Sequence, residues 1–199
     1  MQKLLIRFFD LLFSLIGLIV LSPFFLLIAL LIIIESKGGV FYRQSRVGKD
    51  GFDFILYKFR SMQTGAEKHG QITTGKHIMS ITRVGKFLRK YKLDELPQLF
   101  NVIKGEMSLV GPRPEVRKYV DLYTPDQRKV LDVKPGISDF ASIAYSNENE
   151  LLGKTNNPEK MYVEEIMPAK IRLNLQFIEH PTIENYFKII IKTLIGIFR

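Results

Sequence analysis

The chain of 199 residues contains no cysteine and no tryptophan, and only three histidines. Without cysteine there is no disulfide, no thiolate nucleophile and no cysteine-ligated zinc site. His69, His77 and His180 are scattered along the chain without metal-ligand spacing, and we expect ordinary surface or loop residues there. These absences exclude thiol chemistry, and they are compatible with a domain that works in the cytosol.

Acidic residues are also in the minority, with 20 Asp and Glu against 29 Lys and Arg, for a formal net charge of +9. A basic surface favours anionic partners, which include phospholipid headgroups, nucleotide phosphates and nucleic acid. Charge alone does not choose among these partners. The length suits one domain together with a membrane element.

The N-terminal run at residues 11–34 contains no charged residue. A continuous helix of this length would measure about 36 Å, which is enough to span a bilayer core of about 30 Å. A signal peptide is excluded because the run is too long and no small-residue cleavage site follows it. A straight transmembrane helix remains one interpretation.

Two features favour a second interpretation, in which the chain enters the membrane and returns. Ser22 and Pro23 lie in the middle of the run, and proline kinks or breaks a helix. Positive residues, which prefer the cytoplasmic side, flank both ends: Lys3, Arg7, Lys37, Arg43, Arg46 and Lys49. We therefore predict a re-entrant helix–break–helix over residues 1–36 and a cytoplasmic catalytic domain over residues 37–199.

The rest of the sequence predicts an α+β domain, in which helices surround a small hairpin or sheet. Residues 40–44 and 52–59 read as two strands joined by a turn containing Asp50-Gly51. Residues 63–79 read as a loop, and residues 81–91 have the apolar spacing of a helix.

Residues 182–199 form an apolar segment in which Lys188, Lys192 and Arg199 recur at near-helical spacing. This pattern predicts a basic amphipathic helix that lies on a membrane surface. A helix packed in the core of the domain is the alternative.

The acid pair Asp94-Glu95 is followed closely by Pro97, which is tolerated in the first turn of a helix. We therefore expect a helix to begin near Asp94 and to end at Gly105. Asp94 could be a helix N-cap. It could equally be an ionised nucleophile beside a phosphate site, with Glu95 near a magnesium ion.

Four cations could contact phosphate. Lys58 and Arg60 lie near the end of the second strand, and Arg89 lies on the basic face of the predicted helix. Arg113 stands between two prolines, in a rigid loop suited to bidentate phosphate binding. For Lys58 and Arg60 a solvated strand edge is the alternative, and spacing does not decide between the two. The basic helical face with Arg89 leads directly into the acid pair, which favours a functional role. For Arg113 a structural turn with an exposed arginine is an equal alternative.

The combination of motifs is far more specific than its parts. The chain resembles the bacterial sugar transferase family, the monotopic phosphoglycosyl transferases. The resemblance is carried by residues 43–48 (RQSRVG), 57–62 (YKFRSM), 92–114 (KLDELPQLFNVIKGEMSLVGPRP) and 133–137 (VKPGI). The run with Ser22-Pro23 is similar to the re-entrant helix of that family.

The resemblance implies a two-step exchange at the cytoplasmic face of the bacterial inner membrane, the first membrane step of glycoconjugate synthesis. It implies that Asp94 attacks a UDP-sugar and releases UMP, and that undecaprenyl phosphate then takes the sugar phosphate from Asp94. Glu95 completes the dyad and, with Asp94, places Mg2+. Lys58, Arg60, Arg89 and Arg113 are candidates for substrate contact.

The implied partners are a UDP-sugar, undecaprenyl phosphate and membrane lipid, without nucleic acid, and a homodimer is left open. The chain departs from many members in the segment 138–160, where it has no tryptophan, so sugar identity does not carry over. With Met1 directly before the apolar run, we expect the minimal form of the family. The rival interpretations are a non-enzymatic basic membrane tether and a glycosyl transferase that releases UDP.

Overall fold

Short helices surround two small sheets in the part of the chain that the computed structural model describes, residues 1–65 and 80–197. The strands are β1 Phe41–Val47, β2 Asp53–Phe59, β3 Ser108–Val110 and β4 Gly136–Ser138. The α-helices are α1 Gln2–Glu35, α2 Arg83–Lys90, α3 Gln98–Lys104, α4 Arg117–Val120, α5 Pro125–Arg128, α6 Phe140–Ala144, α7 Glu148–Gly153, α8 Pro158–Met161, α9 Met167–Glu179 and α10 Ile183–Ile197. The mixture of helix and small sheet agrees with the predicted class.

The predicted hairpin is confirmed, since β1 and β2 pair antiparallel with Phe41 opposite Phe59. The turn between them places Asp50 at a φ of 56° and Gly51 at a φ of 79°. Asp and Gly tolerate this left-handed region better than other residues do. Most of the predicted loop, residues 66–79, lies outside the described residues.

The parallel pair of β3 and β4 was not predicted from the sequence. Each strand has only three residues, and Ser108 pairs with Gly136. The backbones approach very closely here, because a Cβ on Gly136 would lie 2.1 Å from the Gly111 nitrogen. Only glycine permits this contact, which fixes the start of the loop that carries Arg113.

The N-terminal run forms one continuous helix of 34 residues, α1, where the sequence predicted two helices separated by a break. Pro23 lies inside α1 and cannot donate a hydrogen bond to the carbonyl four residues earlier, that of Ile19. The Ser22 hydroxyl donates to this same carbonyl at 2.8 Å. The side chain thereby replaces the missing backbone donor, and the helix continues through the proline.

Helix α1 is long and apolar enough to cross a membrane. Much of its apolar surface is exposed, including Ile19, Leu26 and Ile34. The buried side contributes Ile28 and Ile32 to a cluster with Phe59 of β2 and Leu88 of α2.

Polar contacts attach both ends of α1 to the rest of the chain. Near its start, Arg7 donates to the Val102 carbonyl at the end of α3 at 2.8 Å. Asp10 is buried and accepts hydrogen bonds from Ser108 and Leu109 of β3 and from Tyr186 of α10. At its other end, Glu35 accepts from the first backbone amides of α2. The whole length of α1 therefore lies along one domain.

Part of helix α10 packs in the core, which was the alternative prediction for the C-terminal segment. Tyr186 and Ile189 are fully buried in the core. Ile191, Leu194 and Ile195 project outward, each more than half exposed. One face of the helix therefore packs against the domain while another presents apolar side chains outside it.

Candidate active site

Asp94 and Glu95 lie in a single 3-10 turn, Leu93–Glu95, directly before α3. Sequence reasoning expected an α-helix to begin at Asp94, but α3 begins at Gln98. Pro97 explains the difference, because it has no N–H to donate to the Leu93 carbonyl in an α-helical turn. That carbonyl accepts instead from Leu96 at 3.2 Å. Asp94 is therefore not an N-cap of α3.

Glu95 lies at the centre of a charge cluster. Its carboxylate accepts from the Lys58 Nζ atom at 2.8 Å and from the Arg113 Nη1 atom at 3.0 Å. Arg113 Nη1 donates to Oε2, and Arg113 Nη2 donates to Oε1, the oxygen that also accepts from Lys58, so the arginine and the carboxylate form a bidentate pair. Both oxygens are thus engaged, and the Glu95 side chain is only 12% exposed. This arrangement joins the end of β2, the acid-pair turn and the loop after β3.

The charge cluster fixes the protonation state of its members. Burial alone would raise the pKa of Glu95, but Arg113 and Lys58 hold that pKa well below its ordinary value. Burial lowers the pKa of Lys58, and Glu95 offsets this effect in part. The Glu95 carboxylate raises the pKa of Arg113. Glu95 is accordingly an ionised group that orients two cations.

Asp94 differs from Glu95 both in its hydrogen bonding and in the direction of its pKa shift. It is 8% exposed, and within residues 1–65 and 80–197 no group donates a hydrogen bond to its carboxylate. Burial raises its pKa, and the neighbouring Glu95 charge raises it further, whereas Lys58, Arg89 and Arg113 act to lower it. A carboxylate that has no hydrogen-bond donor among the described residues and faces three cations is suited to attack an electrophile that carries negative charge.

Arg89 reaches the site from the last turn of α2. Its Nε atom donates to the Ser61 hydroxyl at 2.9 Å. Helix α2 can lie this close to residue 61 because Gly85 has no side chain: a Cβ there would stand 1.9 Å from the Ser61 carbonyl oxygen. Sequence reasoning did not assign Ser61 a role, although it falls within the motif 57–62.

The rigid loop of Arg113 also has support that was not predicted. Gly111 donates to Ser138 at 3.0 Å, and Gly136 donates to Pro112 at 2.9 Å. On the far side, Arg46 donates to the Pro114 carbonyl and to Glu115. Position 46 lies in the motif 43–48, which was the available signal for this role.

Arg60 is the one predicted substrate contact that points elsewhere. Its guanidinium donates to the Ser36 carbonyl at 2.7 Å and to the Lys37 carbonyl at 2.8 Å, at the end of α1. Among the described residues, Arg60 makes no hydrogen bond or ion pair with Asp94 or Glu95. The structure thus brings together three of the four predicted cations with the acid pair.

The donor set bears on the predicted magnesium ion. Among the described residues no group of three or more His, Cys, Asp or Glu side chains could hold a metal. Magnesium requires only one or two carboxylates when substrate phosphates and water complete its shell. The Asp94 carboxylate fits that minimal role, while Glu95 would share its oxygens with Lys58 and Arg113.

Comparison with known proteins shows which family the chain resembles. The chain matches the family described as bacterial sugar transferase over residues 1–199. It is 46% identical over 142 residues to the UDP-N-acetylgalactosamine-undecaprenyl-phosphate N-acetylgalactosaminephosphotransferase of Aeromonas hydrophila, covering 70% of this chain and 34% of the relative. It is 41% identical over 158 residues to the UDP-glucose:undecaprenyl-phosphate glucose-1-phosphate transferase of Klebsiella pneumoniae, covering 78% of this chain and 33% of the relative.

The chain therefore spans about a third of the length of these two relatives. A third relative matches from end to end: the exopolysaccharide production protein PSS of Rhizobium leguminosarum bv. phaseoli is 37% identical, with 98% of this chain and 96% of the relative covered. The sequence blocks, the acid pair with its three cations and this match over the whole chain lead to one conclusion: the chain belongs to the bacterial sugar transferase family.

Proposed function

We propose that the protein is a phosphoglycosyl transferase, which moves a sugar phosphate from a UDP-sugar to undecaprenyl phosphate and releases UMP. One observation carries the proposal. Asp94 has no hydrogen-bond donor among the described residues and faces Lys58, Arg89 and Arg113, while Glu95 beside it is fully engaged. The names of the Aeromonas and Klebsiella relatives, which describe this class of transfer, support it.

In the first step, an Asp94 carboxylate oxygen attacks the phosphorus that bears the sugar. A bond forms between this oxygen and phosphorus, and the bond from phosphorus to the bridging oxygen of the diphosphate breaks. The bridging oxygen leaves with its electron pair as part of UMP. Lys58, Arg89 and Arg113 reduce the repulsion between the attacking carboxylate and the diphosphate.

In the second step, a phosphate oxygen of undecaprenyl phosphate attacks the phosphorus held on Asp94. The new phosphorus–oxygen bond forms, the bond to Asp94 breaks, and the carboxylate is regenerated. The product is an undecaprenyl diphosphate sugar. Glu95 stays ionised throughout and holds Lys58 and Arg113 in place for both steps.

We further propose Mg2+ as cofactor, with Asp94 and Glu95 as its protein ligands. A bound magnesium ion would neutralise part of the charge of the substrate phosphates. Because Glu95 also binds two cations, Asp94 is the better placed of the two ligands.

The contacts of α1 support a placement in which both ends of the helix stay on the cytoplasmic face, without the break that the sequence predicted. A straight span would separate the two ends of the helix by the bilayer core of about 30 Å. Arg7 and Asp10 near one end and Glu35 at the other all bond to the same domain. The positive flanks at both ends favour the cytoplasmic side.

The first prediction concerns the nucleophile. Asp94→Asn should lower UMP release by about 1000-fold or more, because an amide cannot form the covalent intermediate. The measurement is UMP release by purified protein with Mg2+, undecaprenyl phosphate and a panel of UDP-sugars. Unchanged thermal unfolding and membrane retention provide the control. Substantial activity in this variant would remove Asp94 as the nucleophile and favour a tether, and release of UDP would indicate direct glycosyl transfer.

The second prediction concerns pH. Activity needs ionised Asp94, so it should rise with pH through a pKa that lies above the ordinary value for aspartate. Glu95→Gln removes the like charge that raises this pKa and frees Lys58 and Arg113 to lower it. The acid limb of kcat/KM for the residual activity, measured at saturating Mg2+, should therefore move to lower pH. A move to higher pH would contradict this electrostatic account.

The third prediction concerns the metal. Chelation with EDTA should abolish UMP release, and added Mg2+ should restore it, because one carboxylate and the substrate phosphates suffice as ligands. A circular dichroism spectrum that does not change on chelation would show that the loss is not unfolding. Full activity after exhaustive chelation would exclude the cofactor.

The fourth prediction concerns topology, and the cysteine-free chain makes it direct to test. Single cysteines at Lys3→Cys and Lys154→Cys should both resist a membrane-impermeant maleimide in intact spheroplasts and both react after lysis. Leu26→Cys, on the exposed apolar side of α1, should stay unreactive in both conditions. Labelling of the first variant alone before lysis would establish a straight span.

A further inference from the structure

The last turn of α1 contacts both of the elements that bring Lys58 and Arg89 to the site. Strand β2 carries Lys58 and ends at Phe59, one residue before Arg60. Helix α2 carries Arg89 and begins at Arg83. Arg60, the residue after β2, and the first amides of α2 both form polar connections to residues 35–37, and neither connection has a place in the proposed chemistry.

The first connection is made by Arg60, which is buried at the end of α1. The last four carbonyls of an α-helix have no partner within the helix. Besides its bonds to Ser36 and Lys37, Arg60 donates to the Ser36 hydroxyl at 2.9 Å. A planar guanidinium with five donors is suited to collecting several acceptors in one place. The C-terminal end of α1 is thereby held at the end of β2.

The second connection is made by Glu35 at the start of α2. Its two carboxylate oxygens accept from the backbone amides of Arg83 at 2.6 Å and Val84 at 2.9 Å. The first amides of a helix lack partners and carry partial positive charge, so a carboxylate stabilises them. Glu35 is supplied by another helix, and it therefore fixes the position of α2 as well as capping it.

The two connections converge on one contact inside the site. Helix α2 lies against residue 61, which follows Arg60 directly, and Arg89 donates to the Ser61 hydroxyl there. Because α2 has only eight residues and is about 12 Å long, a shift of its first turn moves Arg89 with it. Displacing α1 would accordingly displace both Lys58 and Arg89 from Asp94.

We propose that Glu35 and Arg60 are positioning residues: they attach the end of the membrane helix to α2 and β2, and so hold Arg89 and Lys58 against Asp94. The inference rests on the proposed function, because it gives these cations their task. It adds that the position of α1 against the domain and the positions of Lys58 and Arg89 in the active site are coupled. Neither residue touches the substrate.

A double-mutant cycle with Glu35→Ala and Arg89→Lys tests the coupling. Each single substitution should lower kcat for UMP release by about tenfold or more. The kcat of the double variant should be no lower than that of the less active single variant. Residues that act as one unit show such non-additivity, whereas independent effects multiply. Multiplied effects, or full activity of Glu35→Ala, would overturn the role of Glu35.

Two matched cycles separate positioning from general destabilisation. Thr124 caps α5, far along the chain from α2, in the same way that side chains cap other helices. Thr124→Ala combined with Arg89→Lys should give multiplied effects. Glu35→Ala combined with Arg113→Lys should also multiply, because Arg113 does not lie on α2. Non-additivity in either control would show that the coupling is global and would refute specific positioning.

For Arg60, the conservative variant Arg60→Lys keeps the charge but loses the fork of donors. It should lower kcat as Arg60→Met does, because one ammonium cannot serve all of these acceptors. Restoration of full activity by lysine would show that charge alone matters and would overturn the assignment.

Hydrogen exchange gives a readout that does not depend on activity. In Glu35→Ala the amides of α2 should exchange faster, and in Arg60→Lys those of residues 57–62 should do so. Thr124→Ala should leave both segments unchanged. Unchanged exchange would overturn the positioning role even if the wild-type protein released no UMP. Faster exchange without any wild-type UMP release would instead leave the connections standing and remove the proposed function.

Discussion

The bidentate pair between Glu95 and Arg113, extended by Lys58, is the interaction on which the site depends. It joins three separate parts of the chain. It also pairs the buried Glu95 carboxylate with two cations, and burying that charge unpaired would strongly destabilise the folded state. Two carboxylates and three cations leave the site with a small positive excess. Glu95 engages Lys58 and Arg113, and Ser61 accepts from Arg89, so Asp94 has no hydrogen-bond donor among the described residues.

Helix α1 is more than an attachment to a membrane. It shares a hydrophobic cluster with β2 and α2, and its polar side chains bond at both ends to the domain that carries the site. A continuous helix with Ser22 in place of the missing donor at Pro23 can keep all of these contacts at once. The candidate membrane helix and the candidate active site are thus parts of one packing arrangement.

The hairpin and the helix over residues 83–90 could be predicted from the sequence, because local turn chemistry and periodicity specify them. The sequence predicts a start of α3 near Asp94, which is too early. Proline is common in the first turn of a helix, but here Pro97 precedes α3, and residues 93–95 form a separate 3-10 turn. The pairing of β3 with β4 has no local signal, because three-residue strands depend on a backbone contact between distant glycines.

Arg60 illustrates a different limit of sequence reasoning. It stands in the same motif as Lys58, and both are basic residues beside apolar ones. Their tasks differ only because one lies at the end of the strand, within reach of the last carbonyls of α1. Spacing along a chain does not contain that information.

The bond between Tyr186 and Asp10 joins residues that are 176 positions apart. During synthesis α1 is made long before α10, so its buried aspartate lacks one of its three donors until Tyr186 has been added to the chain. Contacts of such long range form late and slow the folding of a chain. The buried Asp10 of α1 therefore gains its full set of three donors only after α10 has been synthesised and has packed against α1.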